Sequence, residues 1–304
     1  MSLIPWTSGR ILMREVIFGG YFRNLEPLRI GSGRQSSLTS AVDLAVLRIS
    51  LRGMDLPYIP GSSLKGCFRS VASALASLKG LDVCSGLAKE TCLDLKILDS
   101  GRRLGEEIES LMRTNQSAEA MKKFFQHACI LCKIFGAPGY IGKVFFEDAY
   151  PIDDNGDIMS FRLGTRTGIA IDRRTGAVAR GALYTVEYVE PGARFKFRIL
   201  CKNLPNYALG LLASAMRMVH EGEVKLGGFK TRGFGRVAIE DLKLRIRDFE
   251  KPELVDLRAL ENGVDREVRL SDIARMENGW VVVDGDNAWK ALERLEGVWW
   301  DAKL

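Results

Sequence analysis

Histidine is scarce in this chain, and long apolar runs are missing. Only His127 and His220 stand among 304 residues, so any imidazole chemistry has to pass through one of these two positions. No apolar run is long enough to span a bilayer; the best candidate, Ala208 to Val219, is short and contains Arg217. No N-terminal apolar segment resembles a signal peptide, so a cytoplasmic location with no membrane partner is expected. Two nucleotide signatures also fail. In Gly31-Ser32-Gly33-Arg34-Gln35-Ser36 a serine replaces the third glycine of a dinucleotide fingerprint. Gly139-Tyr140-Ile141-Gly142-Lys143-Val144 lacks both the spacing and the hydroxyl of a P-loop.

What is present points elsewhere. Hydrophobic residues make up 46% of the chain, ample for a core, and the length fits one large domain with insertions or two small ones. Lys and Arg outnumber Asp and Glu by 44 to 38, an excess that favours a polyanionic partner. Six cysteines in a reducing compartment read as metal ligands or buried thiols before disulfides.

Three stretches carry chemistry. In Pro57-Tyr58-Ile59-Pro60-Gly61-Ser62-Ser63-Leu64-Lys65-Gly66-Cys67-Phe68-Arg69-Ser70, two prolines fix an extended lead-in to a helix that Ser62 or Ser63 is expected to cap. Lys65 and Arg69 lie four residues apart on one helix face, so this N-terminus suits a phosphate; the bland alternative is a capped helix with solvated charges. Residues 163–183, LGTRTGIAIDRRTGAVARGAL, read as a long exposed β-hairpin turned at Asp172 to Gly176, with Arg166, Arg173, Arg174 and Arg180 along it. Lys225 to Val237 holds four glycines, four basic residues and two phenylalanines in thirteen positions. Glycines admit a close ligand, basic side chains neutralise phosphates and Phe can stack on bases, so RNA or DNA contact is favoured over a purely structural turn.

His127-Ala128-Cys129-Ile130-Leu131-Cys132 places three metal-competent side chains within six residues, and Cys84 and Cys92 offer a fourth. This spacing suits a structural tetrahedral zinc site, the alternative being buried thiols with no metal; which four of the five would close it stays open. Asp43, in the strand-like run Ser40 to Leu51, is either a solvated strand-end charge or a catalytic or metal-binding group.

The remaining pattern gives a strand over Arg14 to Ile30 with a bulge at Gly19-Gly20, a helix from Ser62 to Leu78 and helices within residues 80–126. A strand over Val144 to Tyr150 follows. Ala182–Val189 and Ala193–Leu200 read as paired strands about Glu190-Pro191-Gly192. After them come a helix over Pro205 to His220 and a strand over Val237 to Ile246. The order predicts an α+β fold. Its ferredoxin-like, RRM-type core spans residues 1–250, interrupted by a helical insertion at 80–134 and the hairpin at 163–183. Residues 251–304, with Trp280 to Val283 and a last helix running to Trp299-Trp300, read as a small C-terminal extension.

RIGSG at 29–33, PYIPGSSLKGCFRS at 57–70, CKIFG at 132–136 and KTRGFGRV at 230–237 resemble the RAMP superfamily. More closely, they resemble the backbone subunit of type III CRISPR effector complexes, the Csm and Cmr type, over about residues 12–247. The resemblance implies copies stacked along a guide RNA, together with other effector subunits, and paired with a complementary target RNA. Arg29, Ser62, Ser63, Lys65, Arg69, Gly228, Lys230, Arg232, Gly233, Phe234 and Arg236 would contact RNA. The hairpin with Arg166, Arg173 and Arg174 would be a thumb that kinks guide and target, and the cysteine-bearing insertion a lid. Asp43 falls where cutting members carry their acid. The implied chemistry is attack by a ribose 2′-hydroxyl on the adjacent phosphate, dependent on Mg²⁺ or Mn²⁺. Two positions depart from the pattern: Arg29 stands where His is frequent, and Leu44-Ala45 follow Asp43 in place of Ser-Pro. A non-catalytic scaffold, or a stand-alone precursor-processing endoribonuclease that uses His220, are the competing functions.

Overall fold

The computed structural model describes residues 11–31 and 42–304, and only the backbone of residues 170 and 178–182. The polar loop expected from Gly31 to Ser37 falls, beyond Gly31, outside the described residues, as do Ser40, Ala41 and the Arg180 side chain.

In chain order, β1 (Arg14–Asn24) is followed by the short hairpin β2 (Arg48–Leu51) and β3 (Met54–Pro57), and then by α1 (Gly61–Leu78). The insertion holds α2 (Cys92–Leu95), α3 (Leu104–Arg113), α4 (Ser117–His127) and α5 (Ile130–Phe135). A two-residue ladder of β4 (Gly136–Ala137) and β5 (Tyr140–Ile141) leads to β6 (Val144–Phe146). Next come β7 (Leu163–Ile171), β8 (Val178–Val189), β9 (Arg194–Lys202), α6 (Asn206–Glu221), β10 (Val237–Asp248), β11 (Arg275–Glu277), β12 (Trp280–Asp284) and α7 (Gly285–Asp301).

Six strands form one antiparallel sheet in the order β11-β12-β10-β1-β9-β6. Strand β9 shows why: its residues alternate buried and half-buried along the whole strand, so Phe195, Phe197, Ile199 and Cys201 face the core. They meet Phe18 and Phe22 of β1 and the apolar stripe Leu64, Phe68, Val71, Ala72 and Leu75 of α1, all as the periodicity predicts. Burying each such Leu, Val or Phe contributes about 1.5–3 kcal/mol. The Gly19-Gly20 bulge is present: the β1–β10 register shifts between Gly19 and Tyr21, and a Cβ on Gly20 would lie 2.7 Å from the Glu240 carbonyl oxygen.

Two strand expectations need correction. Strand β8 does not pair with β9; it pairs with β7 from Leu163↔Val189 to Ile171↔Val178, while β9 lies between β1 and β6. At the 190–192 turn the Asn24 amide donates to the Val189 (3.2 Å) and Glu190 (2.9 Å) carbonyls. Those carbonyls are thus satisfied without a β8–β9 hairpin ladder, and the chain is free to change sheets there. The strand expected over Ser40 to Leu51 is regular only from Arg48. Before that, Leu44 and Val46 make isolated bridges to Val186 and Gly31.

The C-terminal residues share the central sheet, since β12 pairs with β10. Helix α7 lies close on α6, where a Cβ on Gly210 would come within 2.1 Å of the Leu295 carbonyl oxygen. Trp299 is fully buried, whereas Trp300 is partly exposed. Arg14, on β1, ties the same region down by donating to the carbonyls of Arg258 (2.9 Å) and Leu204 (2.5 Å) and to the Asn206 side chain (2.8 Å). Among the described residues no helix is long and apolar enough to cross a membrane.

Candidate nucleic-acid interface and cysteine cluster

Helix α1 starts at Gly61, with Pro60 in the capping position; the Pro60 carbonyl accepts from the N–H groups of Ser63 (2.9 Å) and Leu64 (3.1 Å). Ser62 and Ser63 therefore lie inside the first turn and neither side chain caps the helix, contrary to the sequence reading. The Gly61 N–H is taken by Asp148 Oδ1 at 2.7 Å. Glycine is required there because a Cβ would lie 2.2 Å from the Phe146 carbonyl oxygen. An acid thus already occupies part of the helix terminus, which weakens it as an anion site. Ser62, Lys65 and Gly66 remain exposed.

The glycine-rich loop packs beside this helix. Gly228 donates to the Arg29 carbonyl (2.9 Å) and Gly235 to the Pro27 carbonyl (2.9 Å). Gly227 and Gly235 both have positive φ, and a Cβ on either would lie about 2 Å from a backbone oxygen, so these two glycines are needed for packing. Gly233 also has positive φ but faces open space, and Lys230 to Arg232 form one exposed 3₁₀ turn beside it. A cavity of about 380 Å³ opens between loop and helix, lined by Ser63, Gly66, Cys67, Gly228 and Lys230 among others. Arg236 is exposed, and its N–H donates to Glu26 Oε2 (3.2 Å). Lys225 is paired to Glu26 at 2.9 Å, and the bond from its ammonium holds the Glu26 carboxyl below the usual range.

The two phenylalanines of the loop divide their roles. Phe234, expected to stack on bases, is 2% exposed and packs edge-on against Tyr188, with Arg166 over its ring at 5.1 Å. Burial removes it as a stacking platform. Phe229 is half-buried, with the guanidiniums of Arg29 and Arg232 over its ring at 5.5 and 5.4 Å. Sequence reasoning missed this position, because both rings follow glycine or sit between glycines and nothing local ranks them. Arg29 finds room because Gly31 has no side chain: a Cβ there would meet the guanidinium at 2.7 Å.

The hairpin base meets the glycine-rich loop on a second side. Tyr184 and Tyr188 on β8 lie over Gly168 and Gly164 of β7, their registered partners, where any Cβ would strike the rings. The Tyr184 hydroxyl accepts from Arg232 at 2.9 Å. Asp43 is exposed, and its Oδ2 accepts from the Thr185 N–H at 2.7 Å. The next residue bonds both ways with β8, through Leu44 N–H to Thr185 O (3.1 Å) and Glu187 N–H to Leu44 O (3.0 Å). A cavity of about 560 Å³ is lined by Leu44, Gly168, Ile169, Tyr184, Phe229 and Arg232. The fold therefore brings Asp43, Arg29, Arg166, Lys230 and Arg232 to one region. Arg173 and Arg174 are held away at the hairpin tip, exposed in a turn closed by Asp172.

The sulfurs of Cys84, Cys92, Cys129 and Cys132, all buried, lie within 4.8 Å of one another. His127 is exposed at the end of α4 and stands outside this group, which corrects its place among the ligand candidates. The helix geometry explains this: α4 ends at His127 and the chain turns through Ala128 before Cys129 caps α5. Four sulfurs at about 2.3 Å from a tetrahedral ion would lie about 3.8 Å apart. The observed Cys84–Cys129 and Cys84–Cys132 separations are 3.7 and 3.2 Å, so the donor set and its size suit a metal ion such as zinc. Hydrogen bonds from Cys132 and Cys92 push the Cys129 thiol down, while the Cys129 N–H donates to Cys92 Sγ at 3.2 Å. Arg69 lines one open cavity with Lys65, yet one of its terminal nitrogens reaches the cluster and lies 3.7 Å from both Cys84 and Cys132 sulfurs.

Helix α1, the glycine-rich loop and the strands between them lie within the match of a family model, the RAMP superfamily, over residues 21–238. The chain belongs to the RAMP superfamily. A relative within reach of direct comparison is the CRISPR system Cms endoribonuclease Csm3 of Methanocaldococcus jannaschii. It is 25% identical over 279 residues, which cover 84% of this chain and 95% of the relative.

Proposed function

We propose that this RAMP protein is a backbone subunit of a type III CRISPR effector complex, binding guide RNA with further copies of itself and other effector subunits. The observation that carries this reading is that the glycine-rich loop lines two cavities, one against α1 through Gly228 and Lys230 and one against the hairpin base through Phe229 and Arg232, with Lys230, Arg232 and Arg29 offering charge and Phe229 a ring. Such a combination serves a single strand through phosphate neutralisation and base stacking. The similarity to Csm3 along nearly the whole relative supports the same reading. The strand order β10-β1-β9-β6, with α1 and α6 as the two crossings, supports a ferredoxin-like core; residues 80–134 would be the lid and 163–183 the thumb. A cytoplasmic location, where guide and target RNA are available, follows from the role.

Complementary target RNA would be cut beside Asp43. There the ribose 2′-hydroxyl attacks the adjacent phosphate, forming a 2′,3′-cyclic phosphate and releasing the 5′-oxygen of the next nucleotide with a proton. Asp43 alone offers one carboxylate, so it would hold Mg²⁺ or Mn²⁺ together with RNA phosphates and water, and such an ion supplies charge to offset that developing on the phosphate. A non-catalytic scaffold is the second reading, favoured by the Thr185 N–H that engages Asp43 as a loop anchor would be engaged. The processing-nuclease reading loses its histidine, because His220 Nδ1 accepts from the Ile239 N–H at 3.0 Å and is committed to the fold.

The test is a gel-shift titration of the purified chain with guide-length RNA. Wild type is expected to load in steps along the RNA, and the combined Lys65→Ala, Lys230→Ala, Arg232→Ala variant to bind at least tenfold more weakly. Equal binding by the two would overturn the assignment of the groove.

A further inference from the structure

We infer that Arg69 belongs to the cysteine cluster and not to the RNA groove, acting as the positioning cation that neutralises a metal tetrathiolate and ties the insertion to α1. This rests on the reading that the four cysteines hold a metal ion.

The geometry is specific. Arg69 leaves α1 on the face it shares with Lys65, yet its guanidinium turns inward between Gly86 and the Phe135 ring. One terminal nitrogen donates toward Cys84 Sγ and Cys132 Sγ, both at 3.7 Å, and the other donates to the Gly136 carbonyl at 3.3 Å. The passage exists because residue 86 is glycine. A Cβ there would lie 2.3 Å from the guanidinium, and its φ of 75° is one that other residues seldom adopt. Among the described residues Arg69 Nε is buried with no hydrogen-bond partner.

The charge balance asks for such a group. Four thiolates around a divalent ion keep two negative charges, and the four cysteines are buried. A buried charge left without a partner is strongly destabilising, and outer partners of metal ligands govern affinity. Cys84 comes from the segment between α1 and α2 and Cys132 from α5, the last helix of the insertion, so a cation from α1 that engages both also fixes the insertion to the central fold.

The experiment uses the full chain loaded with Zn²⁺ and, in parallel, with Co²⁺. Chelator competition reads metal affinity, and the thiolate-to-cobalt absorption reads the ligand field. Arg69→Gln is expected to release zinc at least about tenfold more readily, with Arg69→Lys intermediate and Gly86→Ala shifted in the same direction. With zinc saturating, Arg69→Gln should bind guide RNA within about twofold of wild type, whereas Lys65→Ala should lose RNA affinity and keep its zinc affinity. Unchanged zinc affinity in Arg69→Gln with weakened RNA binding would overturn the inference and return Arg69 to the groove. Failure of the wild type to take up either ion as a tetrathiolate would refute the metal reading itself, and the inference with it.

Discussion

The carboxylate of Asp43 and the backbone N–H of Thr185 are joined at 2.7 Å, so the one acid that the family resemblance marks for cutting is also a fastening between its own loop and the hairpin. This double duty can be separated. Asp43→Asn keeps an acceptor for Thr185 and Asp43→Ala does not. Asp43→Ala is therefore expected to cost about 0.5–1.5 kcal/mol of stability and Asp43→Asn less, read as the difference in urea midpoint. Equal stability of the two variants would mean that the bond contributes nothing.

Phe229 and Phe234 predict opposite phenotypes although their ring centroids lie only 5.6 Å apart. Phe234→Ala removes a buried ring and should destabilise the fold by about 3–5 kcal/mol, seen as a lowered Tm. Phe229→Ala should leave Tm nearly unchanged and weaken RNA binding by about 1–3 kcal/mol, the range for a lost base–ring stack.

His220 gives the fold a pH dependence. Its Nδ1 accepts a hydrogen bond from Ile239, and its ring lies 4.4 Å from that of Trp289; burial lowers its pKa from 6.5. The folded state thus prefers the neutral ring. The stability this contributes is fully present above the unfolded pKa, near 6.5, and is lost as pH falls through the lower folded value. Urea midpoints measured from pH 8 to 5 should fall more for wild type than for His220→Asn, which keeps an acceptor but cannot titrate.

RNA binding through Lys65, Lys230 and Arg232 should weaken as salt rises. Each of these residues replaced by Ala should reduce the slope of log K against log salt by about 0.7, the single-strand value per phosphate contact. A variant at Arg173 or Arg174, out at the hairpin tip, is expected to change the slope only when complementary RNA is present.

Periodicity made the core legible. The stripe on α1 and the bulge at Gly19-Gly20 are local consequences of spacing, and both are where the sequence puts them. Spacing also nominates cysteines, but choosing Cys84 and Cys92 over His127 requires knowing how α2 and α5 meet. The same limit applies to Arg69: a shared helix face with Lys65 is visible in the sequence, and the gap at Gly86 that draws it inward is not. Strand β9 was readable as a strand but not by its partner, because Asn24, far away in sequence, decides where the 190–192 turn sends the chain. Aromatic roles in the glycine-rich loop were similarly hidden, since Tyr184 and Tyr188 come from the hairpin.

The most direct measurement is a cleavage assay of the purified chain carrying guide RNA and a labelled complementary RNA, with Mg²⁺ or Mn²⁺ against EDTA, beside Asp43→Ala. The account predicts evenly spaced fragments that require the metal ion and vanish in the variant while guide binding persists. Fragments unchanged in Asp43→Ala would contradict the assignment of the acid, and a wild-type chain that binds neither RNA would contradict the groove itself.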